Sequence, residues 1–171
     1  MTVIRTRRLN MDIIEGDLFE AKADVVMHQC NCMCVWGAGV AVKMKEVFPE
    51  AYEADMVTKP DKWKFGGTSH AEITRENQMG VRWVYNLYGQ VNYGYRMRMT
   101  GYPEFEKAFA QALWQLDKKY PDHCEIAIPY LIGCGLAGGD EKIITAIINR
   151  QLAHYNGKFH VTAYKLKKIE K

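Results

Sequence analysis

The stretch His28 to Ala41, HQCNCMCVWGAGVA, gathers an imidazole, a carboxamide, three thiols and a glycine turn within a few residues. An imidazole titrates near neutral pH and can take either side of a proton transfer. The thiols of Cys30, Cys32 and Cys34 are soft ligands. Their Cys-x-Cys spacing is not the gap of a structural zinc knuckle, so no metal is expected. Gly37-Ala38-Gly39 offers a different chemistry. Glycines let a backbone approach a ligand with no Cβ in the way. A helix start beside them presents unpaired N–H groups and a positive dipole end to an anion.

The sequence repeats this device at Ile132-Gly133-Cys134-Gly135-Leu136-Ala137-Gly138-Gly139, which is followed by Asp140. Two opposed loops of backbone donors suit a diphosphate, although either loop alone reads equally as a tight turn. Cys134 lacks the basic residue that a phosphate-transferring thiolate would need beside it, so it is not read as a nucleophile. Asp140 closes a glycine loop and opens a helix. It reads as an N-cap carboxylate or as a second acid or base.

These residues need a scaffold. Ala23 to Met27 reads as a buried strand ending at His28, and Gly39 to Phe48 as a helix with Val40, Ala41, Met44, Val47 and Phe48 at helical spacing. Upstream, Thr2–Arg8 is a β-rich lead-in and Met11–Glu15 a short strand. Glu50–Thr58 extends a second helix after Pro49, and Lys59–Gly67 is a surface loop. Ser69–Arg75 and Val81–Leu87 read as strands. Tyr88–Tyr102, rich in Gly, Tyr, Met and Arg, has no period and is read as a mobile lid. Pro103 opens a helix with Phe105, Ala108, Phe109, Ala112, Leu113 and Leu116 on one face. Then come a strand at Glu125–Pro129, a helix from Asp140 to about Tyr155 with Ile143, Ile144, Ile147, Ile148 and Leu152 inward, and a strand at Phe159–Leu166. With no repeat or linker, this is one α/β domain over residues 1–171. Such sheets bind ligands beyond the carboxyl ends of their strands, where two loops can face each other.

Composition bounds the partners. The chain of 171 residues carries a net charge of +3, which suits an anionic small molecule without demanding nucleic acid. Five cysteines, an odd number, do not form a disulfide framework, and no apolar h-region follows the charged N-terminus. A cytoplasmic, monomeric protein with no membrane segment and no cofactor is expected.

At this point the chain resembles the macrodomain family of ADP-ribose-binding modules. Ile14-Glu15-Gly16-Asp17-Leu18 resembles its strand followed by Gly-Asp-aliphatic, and His28-Gln29-Cys30-Asn31 stands at its Asn-x-x-Asn segment. Trp36 to Ala41 and Ile132 to Gly139 match its two loops, and Val161-Thr162-Ala163-Tyr164 its final strand. The match covers about residues 11–166 and is nearest the small stand-alone ADP-ribose-1''-phosphate phosphatases. It implies a three-layer α/β/α fold with a mixed central sheet.

The resemblance also implies roles. Asp17, with Leu18 beside it, would meet the adenine amino group, and Tyr164 would pack near the adenine. Asn31 would contact the distal ribose. Gly37, Ala38, Gly39 and Val40 would line one side of the pyrophosphate or distal ribose, and Ile132, Gly133, Cys134, Gly135, Leu136 and Ala137 would wrap the diphosphate. For a phosphatase, His28 is the expected acid or base, with Asn31 orienting substrate or water and Asp140 as a second carboxylate. Asn86, Gln90 and Tyr93 are candidates to reach a terminal phosphate, with Arg96 or Arg98 to add charge. The family's glutamate-deconjugating enzymes carry an acid where Ala137 stands here and a lid lysine near Tyr88-Gly89-Gln90, and neither is present. Three readings stay open: a phosphatase on ADP-ribose-1''-phosphate, a non-catalytic binder of ADP-ribose or a related NAD metabolite, and a hydrolase removing ADP-ribose from a modified macromolecule.

Overall fold

The computed structural model describes residues 10–94 and 97–167; the expected lead-in Thr2–Arg8 and Arg96 lie outside the described residues. Six strands form one sheet: β1 (Asp12–Glu15), β2 (Val25–Asn31), β3 (Thr68–Glu72), β4 (Trp83–Gln90), β5 (Cys124–Pro129) and β6 (Phe159–Lys165). Their spatial order is β1-β6-β5-β2-β4-β3. All neighbours are parallel except the antiparallel pair β3 and β4, so the sheet is mixed, as expected.

The inner strands β2, β4, β5 and β6 are buried on both faces, and alternation sorts their side chains into two cores. On one face Val25, Met27, Tyr85, Leu87, Ile126, Ile128, Val161 and Ala163 meet helices α3 (Tyr102–Lys119) and α4 (Glu141–Ala153). On the other, Val26, Cys30, Val84, Tyr88 and Ala127 meet α1 (Val40–Val47) and α2 (Pro49–Thr58). Helices on both sides of a sheet make three layers.

The expected inward face of α3 is buried at each of its six positions, from Phe105 to Leu116. A buried large apolar side chain contributes about 2 kcal/mol, so this face is a principal source of stability. In α4, Ile144, Ile147, Ile148 and Leu152 are inward, but Ile143 is 42% exposed. Its position one residue before Ile144 turns it about 100° from that stripe and into solvent. Among the described residues no helix is long and apolar enough to cross a membrane.

Two boundaries differ from expectation in ways that shape the site. β2 runs past His28 to Asn31, because His28 pairs in register with Asn86 and Asn31 with Gln90. Tyr88–Gln90 likewise belongs to β4 rather than to a loop, with a register shift opposite Gln29–Asn31. Inside the expected surface loop, residues 62–64 form a short 3-10 turn.

Candidate functional site

A cavity of about 790 Å³ opens beyond the carboxyl ends of β2 and β5, adjacent strands in the middle of the sheet. This size suits a nucleotide-scale ligand. One wall is the loop from Asn31 to the start of α1, the first loop. The opposite wall is the second loop, from Pro129 to Ala137, and Gln90, Tyr93 and Gly94 close a third side.

The geometry of the loops follows from their sequence. Gly39 is the N-cap of α1 with φ +62° and no side-chain cap, so the first-turn amides of α1 stay uncapped. Asn31 folds the start of this loop. Its Oδ1 accepts from the amides of Met33 (3.0 Å) and Val35 (3.1 Å), and its Nδ2 donates to the Val35 carbonyl (2.7 Å). In the second loop the amides of Ile132, Cys134, Gly138 and Gly139 are spent on internal turns. Those of Gly133, Gly135, Leu136 and Ala137 have no acceptor among the described residues. None of the cavity-lining residues among those described carries a charged side chain or an imidazole. Among the described residues, an anion here would meet oriented amide dipoles rather than ammonium or guanidinium groups.

Of the expected site residues, the cavity brings together Asn31, Gly37, Ala38, Gly39, Val40, Ile132, Gly133, Gly135, Leu136 and Ala137. Cys134 does not line it. Its thiol turns under the loop toward the Ile132 carbonyl (3.4 Å) and its amide bonds to Leu131 (2.7 Å). Asp17, Leu18 and Tyr164 stand beside the cavity rather than in it. Asp17 caps a 3-10 turn through the Phe19 amide (2.9 Å), and Leu18 is buried in the core. Tyr164 pairs with the cavity residue Pro129 across β5 and β6.

The expectation for His28 is corrected. His28 is fully buried and lies outside the cavity. Because β2 continues to Asn31, its side chain falls on the α1–α2 face, where Nε2 meets Asn86 Oδ1 at 2.7 Å and the Trp36 ring stands edge-on at 4.9 Å. Burial lowers its pKa to about 4, against the opposing pull of the Asn86 hydrogen bond, so the ring is neutral at pH 7. A proton carrier needs contact with the reacting atoms, and this imidazole has none. Asn86, considered for the lid, is likewise buried, donating to Ala51 O and Ser69 Oγ, both at 2.9 Å.

Asp140 is an N-cap. Its Oδ1 accepts from the amides of Lys142 (2.8 Å) and Ile143 (3.3 Å), and it is not a cavity residue. In the third segment Gln90 and Tyr93 reach the cavity, whereas the Arg98 guanidinium lies over the Tyr102 ring at 4.4 Å. That segment is docked, since Met99 and Thr100 donate to the Ala137 carbonyl at 2.8 and 3.2 Å. Among the described residues no group of three or more His, Cys, Asp or Glu is arranged to hold a metal ion.

Sequence reasoning missed Gln29. Alternation puts it on the face opposite His28, where it lines the cavity floor. Its Nε2 donates to Gln90 Oε1 (2.8 Å) and Thr100 Oγ1 (2.9 Å), and Thr100 donates onward to the Gly133 carbonyl (2.6 Å). One carboxamide therefore ties the floor, the third segment and the second loop. The only signal in the sequence was its parity with Val25 and Met27.

No family model matches the chain. Over 40 residues, 23% of this chain and 16% of the relative, it is 48% identical to an ADP-ribose 1''-phosphate phosphatase of Ajellomyces capsulatus. Over 46 residues, 25% of this chain and 26% of the relative, it is 44% identical to an ADP-ribose 1''-phosphate phosphatase of Meyerozyma guilliermondii. These matches span about a quarter of the chain and no more than about a quarter of either relative. Solved structures align along nearly the whole chain. The macrodomain of Mycobacterium tuberculosis DarG superposes with a TM-score of 0.70 at 17% identity, over 90% of this chain and 96% of that one. Thermosipho africanus DarTG in complex with ADP-ribose gives a TM-score of 0.71 at 21% identity, over 95% of this chain and 44% of that one.

Proposed function

We propose that this chain, which has the macrodomain fold, binds ADP-ribose or an ADP-ribose derivative in the cavity between its two glycine loops. The observation that carries the reading is the pair of amide-bearing loops facing one cavity with no charged lining side chain among the described residues. In this reading the amides of Gly133, Gly135, Leu136 and Ala137 and the uncapped turn at Gly39–Val40 hold the diphosphate. Asn31 Nδ2 spends one hydrogen on Val35 and has a second for the distal ribose. The adenine lies toward Pro129 and Tyr130, the edge nearest Asp17, Leu18 and Tyr164.

A second reading, hydrolysis of ADP-ribose-1''-phosphate to ADP-ribose and phosphate, is favoured by the names of the partial relatives. Water would attack phosphorus, the bond from phosphorus to the ribose oxygen would break, and that oxygen would take up a proton. With His28 in the core and Asp140 capping α4, loop amides would stabilise the phosphoryl charge and solvent would supply the proton. Turnover by this route is slow. A phosphorus NMR time course with ADP-ribose-1''-phosphate tests both readings. Shifted diphosphate signals with slow growth of free phosphate are expected. Shifted signals without phosphate leave a binder, and unshifted signals overturn the assignment.

A further inference from the structure

Behind the first loop lies a buried charged hub that the ligand reading does not use. Asp55, on α2, is fully buried. Its Oδ2 accepts from Trp36 Nε1 (2.7 Å), and its Oδ1 from Tyr88 Oη (2.6 Å) and Lys64 Nζ (2.8 Å). Lys64, its side chain 9% exposed, also donates to Cys34 Sγ (3.2 Å) and sits over the Tyr88 ring at 4.4 Å. Burial pushes the Asp55 carboxyl up, but the hydrogen bonds from Lys64, Tyr88 and Trp36 outweigh it and hold the group below its ordinary range.

The donor directions in this region are determined. Asn86 spends both Nδ2 hydrogens on Ala51 and Ser69, so its Oδ1 accepts from His28 Nε2–H. Ser69 then donates to Tyr88 (2.6 Å), and Tyr88 donates to Asp55. Each link from His28 onward points at this one carboxylate, and Trp36 closes the ring, edge-on to His28 and bonded to Asp55.

Three of the segments meeting at Asp55 have regular backbone bonding of their own: α2, the 62–64 turn and β4. The first loop does not. The N–H groups of residues 36–39 have no acceptor in the protein among the described residues. What anchors this stretch is the Trp36 side chain, and Trp36 is also a wall of the cavity. We propose that Asp55, with Lys64 as its counter-charge, is a positioning residue of the ligand site, setting through Trp36 and Cys34 the path of residues 34–39 and hence the amides offered to the diphosphate. In its ligand this rests on the ADP-ribose reading; in its mechanics it does not.

The test compares the wild-type chain with Trp36→Phe and with the double variant Asp55→Asn/Lys64→Met. The first removes the indole donor. The second neutralises the hub without leaving a buried charge unpaired and substitutes no cavity residue. Backbone NMR relaxation of the free proteins is followed by residue, with amide hydrogen exchange for α3 and ADP-ribose titration by calorimetry. Backbone mobility at residues 34–39 should rise while α3 keeps its exchange protection, and ADP-ribose affinity should fall about tenfold, as for the loss of a charge-assisted hydrogen bond. Unchanged mobility at residues 34–39 in both variants overturns the proposal, as does a uniform loss of protection that includes α3. If wild type itself fails to bind ADP-ribose, the ligand reading fails, and the mobility of residues 34–39 still decides the hub.

Discussion

Gly89 and Gln29 provide a sharp test of how the cavity floor is built. A Cβ added at Gly89 would stand 2.3 Å from Gln29 Oε1 and 2.9 Å from its Cδ, with no positive φ to confound the effect. In Gly89→Ala the carboxamide must swing out, losing its bonds to Gln90 and Thr100. Two hydrogen bonds at about 1 kcal/mol each, with about 1 kcal/mol of residual overpacking, put the cost near 3 kcal/mol. Gln29→Ala alone loses the same two bonds and costs about 2 kcal/mol. In the double variant the new methyl occupies space the carboxamide has left, so the clash vanishes. The double variant should then cost about 2 kcal/mol, far below the additive value of about 5. Urea unfolding followed by tryptophan fluorescence measures all three. Additivity within about 0.5 kcal/mol would refute the contact and, with it, the role of Gln29 in tying the floor to the second loop.

Other consequences follow from single positions. His28 has its pKa lowered to about 4 by burial, so the unfolded chain takes up a proton before the folded one does as pH falls below about 6.5. Stability from this group is present above that pH and lost between about 6.5 and 4, by roughly 3 kcal/mol; the slope should flatten in His28→Gln when urea midpoints are measured against pH. Any turnover of ADP-ribose-1''-phosphate should show no dependence on an ionisation of His28 near pH 6.5. Asp140→Ala should lower stability by about 1 kcal/mol through loss of the α4 cap, with ADP-ribose affinity unchanged by calorimetry. Gly39→Ala, at φ +62° and ψ −146°, should cost about 2 kcal/mol and weaken ADP-ribose severalfold. Gly135→Ala, with open space around its Cβ position and no positive φ, should fold with wild-type stability in the same denaturant assay.

The parts of this molecule that were legible in its sequence are those set by local rules. The α3 face follows a strict helical period, the Asp140 cap follows from its place before a helix, and both glycine loops follow strands and precede helices. What misled was long-range pairing. A polar His after Val25-Val26-Met27 reads as a strand end unless a buried carboxamide is known to wait for it, and Asn86 is 58 residues away. The same pairing extends β2, moves His28 to the α1–α2 face and gives Gln29 the cavity position. Ile143 fails for a simpler reason, since a helix rich in isoleucine does not declare which of its isoleucines marks the edge of the stripe.

The strand order has a consequence for how the protein comes into being. β1 precedes the other five strands in the chain, yet among the described residues its neighbour in the sheet is β6, with Asp12 beside Thr162 and Met11 donating to Asn149. A contact across that much chain carries a large closure entropy and forms late. The strands bearing the cavity, β2, β4 and β5, pair with one another and require nothing from β1. On a ribosome, β1 is therefore made before the other described strands and seated after them, against a core whose central crevice is already shaped.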